Sequence, residues 1–185
     1  MRETRTLILT LVLLILATPL MARGVPKDNL DDYGRGVITD YSDMEGGDQV
    51  EWMWIAPGVK LSDYRIDVSE FENLSKVNDT RMLDTLNDGM QTALTRIEKQ
   101  RKGEPKGTLR TETAVFWAER ASQGKRWIPY AGGHLAQAGC GIEIVFKDED
   151  GKIVAKIRHS GREGGQPSDA AWELIDEVAD FVFNH

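Results

Sequence analysis

Cysteine is almost missing from this sequence: Cys140 is the single thiol among 185 residues. One cysteine cannot close a disulfide within its own chain, so the core has to hold the fold together. Histidine is scarce too, at three residues, which leaves little material for a metal centre. Basic residues are outnumbered, 23 against 30 acidic ones, giving a net charge of −7. A surface of that sign repels nucleic acid and anionic lipid heads, so neither is an expected partner. Internal repeats and low-complexity segments are absent.

The N-terminus has the one pronounced apolar run. In "MRETRTLILTLVLLILATPLMARG" Arg2 and Arg5 give a basic start, residues 6–17 are apolar, and Pro19 leads to the small Ala22. That order reads as an export signal over residues 1–22, cleaved after Ala22. The run falls short of the ~20 residues a membrane span needs, so no transmembrane span is expected. No cysteine follows it, which excludes a lipid anchor at the usual place. The expected location is periplasmic or secreted.

Residues 23–36 are polar, interrupted by glycine and proline, and aperiodic, which predicts a mobile leader. A single domain over 37–185 follows, opening with an extended arm over 37–58. Alternation of Tyr64, Ile66 and Val68 predicts a half-buried strand. From about 80 to 101 the period lengthens: Leu83, Leu86, Met90, Ala93, Leu94 and Ile97 form one helical stripe. Gly89 inside it costs about 1 kcal/mol against alanine, which points to close packing there. Residues 108–121 read as a long strand with Leu109, Thr111, Thr113, Val115 and Trp117 on one face.

"GIEIVFKDEDGKIVAKIRHS" is the clearest hairpin. Parity demands an even loop unless a bulge intervenes. A two-residue turn at Asp150 and Gly151 pairs Glu143 with Arg158. A four-residue loop instead pairs Glu143 with Lys156, setting Lys147 against Lys152; the first is preferred. Ser168 is the expected cap of a last helix whose stripe is Ala171, Leu174, Ile175, Val178 and Val182. The predicted fold is α+β: a two-layer sandwich, mixed β-sheet with two helices on one face, in the order β-α-β-β-β-α after the arm.

The stretches "DYSDMEGG", "APGVKLSDYRIDVSEF" and "AGCGIEIVFKDEDGKIVAKIRHSGREGG" resemble exported bacterial envelope proteins of a domain-of-unknown-function family, many of them lipoproteins. "FENLSKVNDTRMLDTLNDGM" is similar at the level of fold to TolB amino-terminal and curli-secretion lipoprotein domains. The resemblance implies this architecture and an envelope location. It carries no catalytic residues.

Candidate chemistry centres on Cys140. His134 precedes its strand, and His159 shares its sheet face by parity, one pair along or opposite. A thiol nucleophile needs such a base and a lowered pKa. The same face carries Ile142, Ile144 and Ile157, however, and an inert buried thiol is the usual occupant of such a face. Two histidines and a cysteine match no compact zinc spacing. The glycine-rich loop over 160–169 lacks a nucleotide loop's spacing and lysine. Trp54, Trp127 and Tyr130 are candidates for a partner surface if they lie in the open. The expectation is a non-catalytic envelope accessory protein without cofactor, acting on other envelope proteins, self-association included. The alternative is a small-ligand or metal-binding periplasmic protein using Cys140 with His134 or His159.

Overall fold

The computed structural model describes residues 24–122 and 136–185. Its strands, β1 (Glu45–Gly46), β2 (Trp52–Ile55), β3 (Arg65–Asp67), β4 (Glu72–Asn73), β5 (Thr108–Glu119), β6 (Gly139–Lys147) and β7 (Ile153–Arg162), form one sheet. The order across it is β1-β2-β7-β6-β5-β3, with β4 also on β5. β3 and β4 run parallel to β5, and every other pairing is antiparallel. The long helices α2 (Thr80–Gln100) and α3 (Pro167–Asn184) cover one face. This is the α+β mixed-sheet sandwich that the periodicity predicts.

The helix-covered face is apolar. Met82, Leu86, Met90 and Leu94 of α2 and Leu174, Ile175, Val178 and Val182 of α3 bury against Ile142, Ile144, Phe146 and Ile157. The helix stripe begins at Met82, fully buried, rather than at the partly buried Leu83. Gly89 is where the helices meet: a Cβ there would lie 2.5 Å from Ile175 Cδ1. Asp79 caps α2, its carboxylate accepting from Met82 N at 3.0 Å. α3 starts two residues earlier than expected. Gln166 is its cap, Pro167 opens it, and Ser168 sits buried inside the first turn.

Three local expectations change. The strand predicted around Ile66 breaks into β3 and β4, because side chains replace the ladder between them. Ser69 N donates to Thr111 Oγ1 and Phe71 N to Asn87 Oδ1, each at 2.9 Å. In β5 a register shift after Val115 turns Trp117 onto the opposite face, since Val115 pairs with Ile142 and Trp117 with Gly141. The hairpin pairs Glu143 with Arg158 as preferred, but a shift beside Lys147 pairs that residue with Ile153 and lengthens the connection. An extra residue in one strand is what rescues parity.

The second sheet face is covered by residues 24–44. The stretch expected to be a mobile leader contains α1 (Lys27–Tyr33), and Val25 and Leu30 are buried. With Ile38, Tyr41, Met44 and Val145 they form a second, smaller core. Polar composition hid this because only every few residues faces the sheet. The arm continues as β1 and β2, with β2 pairing against the edge of β7.

Candidate functional site

Cys140 lies on the helix-facing side of β6 with no exposed surface. Its Sγ is 3.6 Å from Met82 Sδ. Burial pushes the thiol up to about 12, with the charge of Asp79 adding to the effect. A thiol held neutral lacks the thiolate that a nucleophile needs at neutral pH. The glycines flanking it serve packing: a Cβ on Gly139 would meet the Trp117 ring at 2.1 Å, and one on Gly141 the Phe116 ring at 2.5 Å.

His159 pairs with Ile142, two ladder positions from the Cys140–Gly161 pair and so the next pair on the same face. Both ring nitrogens are engaged. Nδ1 accepts from Glu51 N at 3.2 Å, so Nε2 carries the proton and donates to Glu177 Oε2 at 2.6 Å. Neighbouring Ser160 donates to Glu51 Oε2 at 2.8 Å. These groups line a polar cleft of about 280 Å³ with Trp117 and Arg162. Arg162 stacks 4.6 Å from the Trp117 ring centroid and pairs with Glu119 at 2.8 Å. The cleft is a chain of satisfied partners. His134, Trp127 and Tyr130 lie outside the described residues. Among the described residues, no group of three or more His, Cys, Asp or Glu could hold a metal ion.

The glycine loop before α3 is likewise filled from within. Asp169 accepts from Gly165 N and Gln166 N, each at 2.9 Å. Those two backbone hydrogen bonds hold its carboxyl below the usual range. An anion at this helix start would meet that charge.

Trp54, the described member of the aromatic trio, is half-buried against the second core. The Lys156 ammonium stands 5.2 Å from its ring centroid and pairs with Asp43. A cleft of about 290 Å³ opens beside it, floored by Val37, Ile38, Val145 and Ile153.

Sequence reasoning placed Glu143 opposite Arg158 but missed what they do. Both side chains are fully buried and paired at 2.5 Å. Glu143 also accepts from Tyr41 Oη and Ile38 N, each at 2.9 Å. Arg158 donates to Asn29 Oδ1 at 2.9 Å, to Asn29 O at 3.3 Å and to Gly34 O at 2.9 Å, and its guanidinium lies 3.6 Å over the Phe116 ring. Every acceptor and donor outside the hairpin belongs to residues 29–41. The pair fastens the N-terminal layer to the sheet. Burial, with the Glu143 charge next in weight, drives the Tyr41 hydroxyl far above its ordinary value. The one available signal was two opposite charges facing each other inside an apolar hairpin.

The solvent side of α3 was not foreseen. Trp172 is 56 % exposed and Phe183 49 %. Eleven residues make about three helical turns, so the two rings leave the same side of α3, roughly 16 Å apart.

No protein-family model matches the chain, and no curated protein matches it. Among solved structures it is similar to the PelC dodecamer from Paraburkholderia phytofirmans, at 14 % identity and a TM-score of 0.41, over 68 % of this chain and 92 % of that one. A point variant of that dodecamer matches at 14 % identity and a TM-score of 0.42, over 70 % and 93 %.

Proposed function

We propose that this chain is an exported envelope accessory protein that works by non-catalytic contact with other proteins, in the periplasm or outside the cell. The observation that carries the reading is the aromatic pair on α3. Helix α3 buries a full apolar stripe and still presents Trp172 and Phe183 to solvent. Large aromatics left in the open on a rigid helix are the usual anchors of protein interfaces. The N-terminal basic start, apolar run and Ala22 support export. Among the described residues, no helix is long and apolar enough to cross a membrane.

A photo-cross-linking residue placed at Trp172 in the native host tests the contact, with Asp150 in the β6–β7 connection as the control site. Discrete adducts from position 172 and none from position 150 are expected. Equal labelling from both sites would remove the reading. Terminal sequencing of the recovered protein should begin near Arg23, and an intact residue 1–22 segment on the mature chain would remove the export half.

A further inference from the structure

At the end of the helix layer, α2 and α3 finish side by side around a cleft of about 440 Å³. Lys60, Arg101 and Lys102 supply its positive charge and Asp63 a negative one, Asn184 an amide, and Ile97 and Phe183 its apolar wall. The chain is acidic overall, yet this end is not. Lys60 and Lys102 form no salt bridge among the described residues. Arg101 is fixed by backbone carbonyls, its Nε donating to Ser62 O at 2.9 Å and its Nη2 to Tyr64 O. The nearest acids are compensated: Asp63 by Lys106 at 2.7 Å, Glu98 by Arg65 at 2.9 Å.

A simpler role for these cations is to offset the helix C-termini. Two helix ends carry about half a negative charge each, roughly one in total. Lys60, Arg101 and Lys102 bring three positive charges against that one, and the Asp63 carboxylate that also lines the cleft is paired with Lys106 at 2.7 Å. Positive potential remains beside an exposed aromatic ring.

We infer that this cleft binds an acidic peptide segment of a partner protein, with an aromatic or aliphatic side chain resting on Phe183 and Ile97 and carboxylates meeting Lys60 and Lys102. The assignment rests on the contact function proposed above and names the partner's chemistry. A concave cleft suits a peptide better than a bilayer surface. The net negative charge of the whole molecule also repels an anionic bilayer at long range, while a short segment feels the local field.

The probe is a fluorescein-labelled synthetic peptide of alternating glutamate and phenylalanine, titrated by anisotropy against the full exported protein. Binding should weaken about tenfold in the double variant Lys60→Glu with Lys102→Glu, several-fold in Phe183→Ser, and not at all in Lys152→Glu, and it should fall as salt rises. Unchanged urea midpoints show that the variants remain folded. A lysine–phenylalanine peptide binding equally well would overturn the assignment, as would indifference to the Lys60 and Lys102 reversals. Preference for anionic phospholipid vesicles over the peptide would overturn it in favour of a membrane surface. Cross-linking at Trp172 reads the broader contact function separately, so either result is interpretable alone.

Discussion

The two faces of the sheet are held by different physics. Under α2 and α3 the contacts are almost wholly apolar and spread over many side chains. Under residues 24–44 a small apolar cluster surrounds one fully buried ion pair whose partners converge from Asn29, Gly34, Ile38 and Tyr41. Dispersed burial tolerates losses in proportion to volume. A buried charge pair behaves otherwise: removing one partner strands the other without solvent, while removing both is nearly neutral.

Breaking the helix side should have the largest effect. Leu174 has no exposed surface, so Leu174→Asp loses packing and buries a carboxylate, on the order of 5 kcal/mol. That is comparable to the whole stability of many domains of this size, and loss of cooperative unfolding in urea is the expected readout. The off-stripe comparison residue for such a test is not Glu177, because that carboxylate holds His159; Asp176, exposed on the same helix, serves instead.

The N-terminal side sharpens the contrast. Arg158→Met alone leaves Glu143 buried and unpaired, at a cost of about 3–5 kcal/mol. Adding Glu143→Leu removes the stranded charge and should recover part of that loss, the remainder being the acceptor that Tyr41 Oη and Ile38 N lose, and a double-mutant cycle in urea measures the coupling. Additive losses would show that the pair is not one unit. No such recovery is available on the helix side.

The smallest effect is a pH dependence read over the single unit between pH 9 and 10. The ordinary thiol value is 9.0 and Cys140 is raised to about 12. Below pH 9 both folded and unfolded chains keep the proton, and its contribution is complete. Between about 9 and 12 only the unfolded chain releases it, so stability falls by about 1.4 kcal/mol per pH unit. Urea midpoints between pH 9 and 10, below the ordinary tyrosine value, should show that slope, and Cys140→Ala should lack it there; above pH 10 the buried Tyr41 adds a slope of the same sign. In native buffer at neutral pH the thiol should also resist alkylation until denaturant is added.

The same contrast explains what the sequence could show. Leu86, Met90, Leu94, Leu174, Ile175 and Val178 repeat at helical spacing, and Ile142, Ile144 and Ile157 alternate, so burial against one face is written as a period. Leu30, Ile38 and Met44 follow no period, because they reach the sheet from one helical turn and an irregular chain. The bulge at Trp117 was equally hidden, since one added residue reverses parity without changing composition. At the candidate surfaces, the inert setting of Cys140 followed from its apolar neighbours. The bonds that occupy His159 come from Glu51 and Glu177, both distant in sequence, and no local pattern announces them. Trp172 and Phe183 stood in plain view as off-stripe residues of a predicted helix, and their spacing of three turns was the missed signal.

The fastening of the N-terminal layer also sets an order of events during synthesis. Asn29 is among the first described residues to leave the ribosome, yet the guanidinium it binds follows 129 positions later, and the carboxylate that receives Ile38 N follows 105 positions later. Until β6 and β7 exist, residues 24–44 have nothing to close upon, and contacts so far apart in sequence form slowly. The beginning of the chain therefore cannot be built into the fold before residue 158 exists, and a nascent chain stays open at its leading end until most of it has been made.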